Sequence, residues 1–333
     1  MRLGILAGAG RDWKTSLANV QAAESIGYEL VCTGEAWGPS SVPWMTLLTA
    51  HTEKIHIGTS ILNIFSRSPG AIAQEFAMLE MLSGGRMVCG LGSSGDRVIE
   101  HFHGVKFEKP VRRLREYTEI INLLLSGKKL EYEGQIFSLQ RGFELTYDKQ
   151  RDHVPVYIAA ITPKSIVQTG EIADGIFPIH WPKQHFTTLR DQLGEGATKS
   201  GRTGDAITIA PFTNVYVLDG KDDEKLWQAA RQPLFHYINR MGDFYWNMLA
   251  SNGYEAEVMD SRAVWKENRD MAGAMNAISE QMVRDIQVIG PIEACAEQLA
   301  ERSALGADIQ MIQMPGGSPE VVRNRLEALA AAG

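Results

Sequence analysis

Short apolar segments alternate with longer amphipathic segments along the whole chain. The apolar segments have the length of buried strands, and the segments between them repeat apolar residues at helical spacing. One such helix stops at Gly84, and its predicted inward positions are Ile72, Phe76, Leu79 and Leu82. The predicted strands, numbered one to eight, cover residues 3–7, 30–33, 55–62, 87–91, 156–160, 175–179, 207–217 and 309–313.

Eight strands separated by helices predict an α/β protein with a parallel (β/α)8 TIM barrel. A doubly wound parallel sheet is the alternative that the pattern leaves open. No linker rich in Pro, Gly or Ser interrupts the pattern, so residues 1–333 are predicted to form a single domain. A hairpin is predicted over residues 130–139, and a helical insertion over residues 222–283 precedes strand eight. Its aromatic residues are interpreted mainly as core and subunit contacts: Trp227, Phe235, Tyr237, Phe244, Tyr245 and Trp246.

Charge and cysteine content narrow the functional class. The chain has 40 acidic and 33 basic residues, a formal net charge of −7, which disfavours a general nucleic-acid surface. Its 3 cysteines are an odd and sparse set that does not indicate a disulfide framework. Cys32 and Cys89 lie in apolar strand-like runs and are predicted to be small buried apolar residues. No signal-peptide pattern and no apolar stretch of about 20 residues is present, so we expect a cytoplasmic protein without a membrane span.

Reactive groups of a (β/α)8 barrel lie just after the strands, on one face. Glu35 follows strand two and His180 follows strand six, and these are the candidate catalytic residues. A carboxylate or an imidazole at a strand end can take up or release a proton, and His titrates near neutrality. Ser60 and Asn63 interrupt the apolar run of strand three, which suggests a role in binding.

Strand four leads into a loop of the form G-x-G-x-x-G, from Gly90 to Gly95. A dinucleotide-binding fold needs a long helix at this point, but Gly104 and Pro110 follow closely, so we do not predict that fold. The amide groups of a Gly/Ser loop can still cradle a ligand.

Two further strand-end features allow a structural as well as a functional interpretation. Thr162 and Pro163 after strand five predict a capped helix start, which either suits a phosphate or serves only as a cap. His101 and His103 suggest a metal site, but no carboxylate–histidine set completes one, so no metal is predicted.

Several sequence strings, in order and at this spacing, resemble the luciferase-like monooxygenase superfamily, and specifically its deazaflavin-dependent branch. The strings that carry the resemblance are EAWG (35–38), IGTSI (57–61), SRSP (66–69), AQE (73–75), LSGGR (82–86), GLG (90–92), REY (115–117) and EIADG (171–175).

The resemblance implies that the cofactor is coenzyme F420. It also implies which residues of this chain contact the coenzyme. It implies a cis non-proline peptide between Ser60 and Ile61 that backs the middle of the deazaflavin ring. It also implies phosphate-side contacts after strand five and further contacts after strand four. The full set of predicted coenzyme contacts is Ala36, Ser60, Ile61, Asn63, Ser93, Ser94, Ala159, Ala160 and Thr162.

The resemblance implies an oxidoreductase that transfers a hydride between F420 and a small organic substrate, in a homodimer. Two departures argue against a sugar phosphate as that substrate. Ala36 stands where the sugar-phosphate dehydrogenases carry His, and Asp96 stands in the loop where they carry Glu. An FMN-dependent monooxygenase or reductase of the same fold is the alternative, and a coenzyme carrier without catalysis is a third hypothesis.

Overall fold

The computed structural model describes residues 1–313 and 317–331. The predicted strands coincide with strands of the structure, although strands three and seven are each divided in two. In chain order the strands are β1 (Leu3–Leu6), β2 (Leu30–Thr33), β3 (His56–Thr59), β4 (Leu62–Asn63), β5 (Met87–Gly92), β6 (Leu130–Glu133), β7 (Ser138–Phe143), β8 (Val156–Ile158), β9 (Gly175–Ile176), β10 (Thr208–Ile209), β11 (Phe212–Val217), β12 (Val288–Gly290) and β13 (Gln310–Gln313).

The parallel strands close into a barrel. Neighbours follow the order β10, β9, β8, β5, β3, β2, β1, β13, β11, and only Ala210 and Pro211 separate β10 from β11. The Ala210 amide donates to the Ile176 carbonyl at 2.9 Å, and the Met311 amide donates to the Pro211 carbonyl at 3.0 Å. These bonds join the two edges of the sheet, which confirms the (β/α)8 barrel over the open doubly wound sheet.

Helices surround the barrel, and none of the described ones combines the length and apolar composition that a membrane crossing requires. Leu82 is 45% exposed, so its predicted inward position is wrong. Each residue turns a helix by about 100°, so Leu82 lies about 120° around the helix from the buried Phe76 and outside the buried stripe. The helices are α1 (Trp13–Ile26), α2 (Ser41–His51), α3 (Pro69–Ser83), α4 (Asp96–His101), α5 (Pro110–Leu125), α6 (Pro163–Ile172), α7 (Phe186–Lys199), α8 (Asp223–Arg240), α9 (Asp243–Leu249), α10 (Glu255–Asn268), α11 (Met271–Asn276), α12 (Glu280–Ile286), α13 (Ile292–Ala304) and α14 (Pro319–Ala330).

Two apolar layers follow from the alternation of side chains along the strands. On β2, Leu30 and Cys32 point into the barrel, whereas Val31 packs against the outer helices. All 3 cysteines are free and buried, which confirms the prediction for Cys32 and Cys89, and burial raises the pKa of each thiol. The predicted hairpin is confirmed as the antiparallel pair β6–β7, which lies outside the barrel.

The helical insertion between β11 and β13 differs from its prediction in two ways. It is divided into α8 to α12, with breaks at Gly242 (φ 79°) and Gly253 (φ 100°). The short strand β12, which pairs with β11, was not predicted, because an apolar run of three residues has no measurable period. The core interpretation is confirmed for Phe235, which packs edge-to-face on Trp265 at 5.1 Å, whereas Phe244 is 58% exposed.

The close packing of α6 on α7 gives a prediction about stability. A Cβ atom at Gly196 would overlap the Val167 carbonyl oxygen, whereas at Gly194 the nearest atom would be 3.8 Å away. We expect Gly196→Ala to lower the free energy of unfolding by about 3 kcal/mol, as for other overpacked sites. Gly194→Ala on the same helix is the matched control and should not destabilise the protein. Urea unfolding measures both, and equal stabilities of the two variants would contradict this account of the packing.

Candidate active site at the barrel mouth

A concave site lies over the carboxyl ends of β5 and β8, and we call it the serine cleft. It encloses about 950 Å³, part of it open to solvent. Met241, Phe244 and Tyr245 of the helical insertion border it on the outside. Six of the predicted coenzyme contacts line the cleft: Ile61, Ser93, Ser94, Ala159, Ala160 and Thr162. The closed barrel therefore brings together strand ends that are up to 101 residues apart in the sequence (162 − 61).

A second concave site lies beside it, over the ends of β1, β9, β11 and β13, and we call it the histidine cavity. It encloses about 770 Å³ and is open on one side. Ile179 lines both sites, so the two are adjacent. The polar side chains of the histidine cavity are His180, Asn214, Tyr216, Tyr237 and Gln313.

The floor of the serine cleft is formed where barrel strand three is interrupted. The peptide between Ser60 and Ile61 is cis, as the family resemblance predicted. The Ser60 amide donates to the Thr33 carbonyl at 2.7 Å, which ties this loop to the end of β2. Gly92 leaves room for Ile61, since a Cβ atom there would lie 2.9 Å from the end of the Ile61 side chain. Ile61 is thereby placed at the floor of the cleft.

The start of α6 forms another side of the cleft, and its predicted cap is confirmed. The Ser165 amide donates to Thr162 Oγ1 at 3.4 Å, and the Thr162 amide donates to Ser165 Oγ at 3.1 Å. Pro163 occupies the first turn. Both hydroxyl groups line the cleft beside the positive end of a helix of 10 residues. A phosphate at this position remains a prediction.

The glycines of the G-x-G-x-x-G string allow neighbouring strands to pack closely, and its serines shape the loop after β5. A Cβ atom at Gly90 would overlap the Thr59 carbonyl oxygen, so glycine is needed where β3 and β5 are in contact. Helix α4, which follows the string, has only 6 residues, in agreement with the rejection of a dinucleotide fold. Ser94 has a φ of 59°, and Ser93 Oγ donates to the Ser94 carbonyl at 3.2 Å.

Glu35 is bound by other residues of the chain. Arg67 donates to both of its carboxylate oxygens, at 2.6 and 2.9 Å, and the Ser41 amide donates at 2.7 Å. Burial by itself raises the pKa of Glu35, but the hydrogen bonds from Arg67 and Ser41 outweigh it and hold that pKa below its ordinary value. The Glu35 amide also donates to the Ile61 carbonyl at 3.3 Å. This geometry favours an anchoring role for Glu35 and gives no support to the predicted proton transfer.

His180 lines the histidine cavity, and its side chain is almost completely buried. Its backbone has a φ of 52°, and its ring packs on the edge of Tyr237 at a centroid distance of 4.5 Å. Burial, with a smaller effect of His236, lowers the pKa of His180 to about 3. Its Nε2 atom is buried without a hydrogen-bond partner among the described residues. The imidazole is therefore neutral near pH 7.

Three predicted coenzyme contacts, Ala36, Ser60 and Asn63, are not among the described residues that line either site. Asn63 Oδ1 accepts the amides of Phe65 and Ser66 at 3.0 and 2.8 Å. Its Nδ2 atom lies 3.3 Å from Nε2 of His103. Asn63 thus orders the loop after β4, and a direct contact of these three residues with a coenzyme stays a prediction.

Sequence reasoning did not identify two tyrosines that connect the sites. Tyr237 of α8 lines the histidine cavity, and Tyr245 of α9 lines the serine cleft. Their rings meet edge-to-face at 4.6 Å, so His180, Tyr237 and Tyr245 form a row from one site to the other. The aromatic content of the insertion was the only signal, and it does not say which rings turn towards the barrel.

Burial of a neutral His180 predicts acid sensitivity. The folded chain keeps the pKa of His180 near 3, whereas the unfolded chain binds a proton at the ordinary value of about 6.5. Since the unfolded state then binds the extra proton, stability falls as the pH drops below about 6.5, by up to about 1.4 kcal/mol per pH unit.

Urea unfolding at about pH 7.5 and about pH 5 measures this loss. His180→Asn is the comparison, because Asn tolerates a positive φ and does not titrate in this range. The variant should lose less stability than the natural chain over the interval. Equal losses in the two proteins would contradict a buried neutral His180.

The sequence of the chain is similar to those of a known family and of named relatives. The model of the family described as luciferase-like monooxygenase matches residues 1–308. The 5,10-methylenetetrahydromethanopterin reductase of Archaeoglobus fulgidus is 26% identical, over 90% of this chain and 88% of that protein. The F420-dependent glucose-6-phosphate dehydrogenase of Nakamurella multipartita is 31% identical, over 69% of this chain and 73% of that protein.

A solved structure also has the same fold. The coenzyme F420-dependent tetrahydromethanopterin reductase from Methanopyrus kandleri superposes with a TM-score of 0.80. The match covers 99% of this chain and 98% of that one, at 23% sequence identity.

Proposed function

Because the chain belongs to the luciferase-like monooxygenase family, we propose that it is an oxidoreductase that transfers a hydride between coenzyme F420 and a small organic substrate. The observation that carries the proposal is the meeting of the serine cleft and the histidine cavity at Ile179. Hydride transfer requires donor and acceptor to lie side by side, and two adjacent sites provide that arrangement. The names of two compared relatives, which contain F420, support the choice of coenzyme.

The residues of the serine cleft fit a flat coenzyme with a phosphate group. Ile61, Phe177 and Tyr245 supply apolar walls, and the absent Cβ of Gly92 keeps the floor open. The start of α6, with Thr162, offers hydroxyl and amide groups at the positive end of a helix. A planar ring and an anionic group thus find matching surfaces in one cleft.

The chain's own part in the reaction is to bind, to orient and to exclude water. When bound, the coenzyme supplies the hydride chemistry. Ile61 would support its ring, and Thr162 with Ser94 would hold its phosphate. The edge-to-face pair Tyr237–Tyr245 covers the junction of the two sites from the outside and limits the entry of water.

His180 acts in this proposal as a neutral hydrogen-bonding group of the substrate site. A pKa of about 3 makes the imidazole a weak base near pH 7, so a polarising contact suits it better than a proton relay. Glu35 acts through Arg67, by fixing the loop that carries Ile61. A homodimer and a cytoplasmic location remain predictions.

Parallel fluorescence titrations with F420 and with FMN test the choice of coenzyme. We expect micromolar or tighter binding of F420 and binding of FMN at least about tenfold weaker, a difference of about 1.4 kcal/mol. The reverse order would favour the FMN-dependent monooxygenase or reductase. Tight F420 binding without turnover on a panel of alcohols, ketones and enones would favour the coenzyme carrier.

A single substitution tests whether the coenzyme binds in the serine cleft. In Gly92→Ala the new methyl group would lie only 2.9 Å from the end of the Ile61 side chain. It would therefore push that side chain into the space proposed for the deazaflavin ring. We expect F420 affinity to fall about tenfold with little change in thermal stability. Gly70→Ala, where the nearest atom would be 3.9 Å away, is the control and should bind F420 normally. Unchanged affinity in Gly92→Ala would place the coenzyme elsewhere.

A further inference from the structure

We propose that the histidine cavity binds an uncharged organic molecule with a hydroxyl or carbonyl oxygen and excludes phosphorylated and carboxylated ones. Its assignment to the substrate rests on the proposed function. Its preference for uncharged ligands rests only on the side chains that line it.

The described part of the cavity lining is uncharged. Among the described residues that line it, none is Lys, Arg, Asp or Glu. The residues that follow Gln313 in the chain, 314–316, are Met, Pro and Gly, and they carry no charge either. An anion in this cavity would lose water without gaining a counter-ion, which is strongly unfavourable.

The titratable groups of the lining are neutral near pH 7. Burial lowers the pKa of His180 to about 3 and raises the pKa of Tyr216 to about 12. Burial also raises the pKa of Tyr237 above its ordinary value. The cavity therefore presents dipoles, which select a ligand by hydrogen bonds and not by charge.

Two polar groups of the lining are available to a ligand: one can accept a hydrogen bond from a ligand hydroxyl group, and the other can donate to a ligand hydroxyl or carbonyl oxygen. Asn214 Nδ2 donates to Gln287 at 3.2 Å, whereas its carbonyl oxygen has no partner among the described residues. The Tyr237 hydroxyl likewise forms no hydrogen bond within the described part of the chain, and it can donate to a carbonyl oxygen. Leu6 and Phe212 supply apolar surface beside them. A compact alcohol or ketone matches this combination.

Binding of matched probes to the protein without coenzyme tests the proposal. Cyclohexanol and cyclohexanone are compared with cyclohexanecarboxylate and cyclohexyl phosphate by ligand-observed NMR titration. We expect the two uncharged probes to bind at least about tenfold more tightly than either anion, a difference of about 1.4 kcal/mol. Equal or tighter binding of an anion overturns the proposal, and so does failure of the uncharged probes to bind.

A variant locates the effect in the histidine cavity. Gln313 is exposed at its rim, at the end of β13, where a longer side chain can be accommodated. We expect Gln313→Lys to bind cyclohexanecarboxylate at least about fivefold more tightly than the natural chain, through a new ion pair. Gln313→Met is the control of similar size and should leave anion binding unchanged. An identical response of the two variants places the probes outside this cavity and overturns the proposal.

The two proposals can fail separately. If F420 binds but anionic probes are preferred, the coenzyme assignment survives and the substrate class is wrong. If uncharged probes are preferred but F420 does not bind, the inferred ligand preference of the cavity holds and the proposed F420-dependent reaction is wrong.

Discussion

The barrel depends on close contact between glycines of one strand and large side chains of the next. A Cβ atom at Gly4 would lie 2.5 Å from the Met311 sulfur, and one at Gly175 would lie 2.7 Å from the Tyr157 ring. Larger residues at these positions would force neighbouring strands apart, because the interior is packed as tightly as an organic crystal. The two concave sites at the mouth of the barrel both require that the sheet closes.

Closure determines where the chemistry can lie. The carboxyl ends of all barrel strands meet at one face, so loops that are distant in the sequence share two adjacent sites. Ile61 reaches the floor of the serine cleft because Gly92 has no side chain and because Glu35 and Arg67 fix the surrounding loops. Tyr237 and Tyr245 of the insertion before β13 line one site each, and their rings meet edge-to-face. The packing inside the barrel thus positions the residues that line the two sites.

The sequence predicted those features that depend on local pattern. Strand positions, the Gly84 stop of α3 and the Thr162 cap follow from periodicity and from residue preferences, and the structure contains them. The cis peptide at Ser60 could be predicted only through family resemblance, since no local pattern encodes it. The pair of Glu35 with Arg67, 32 residues away, was missed because periodicity carries no information on contacts between loops. For the same reason the inserted aromatic rings could not be assigned to the core or to the mouth of the barrel.

A crystal structure of the protein with F420 bound tests the position of the coenzyme most directly. The ring should lie against Ile61 in the serine cleft, with the phosphate beside Thr162 at the start of α6. A different groove, between α5, α6 and α7 outside the barrel, is lined by three cationic side chains and two glutamates, namely Arg115, Lys164, Lys199, Glu171 and Glu195. Its lysines form no ion pair within the described part of the chain and offer an alternative contact for an anion. A coenzyme bound in that groove, with the serine cleft filled by solvent, would contradict the account.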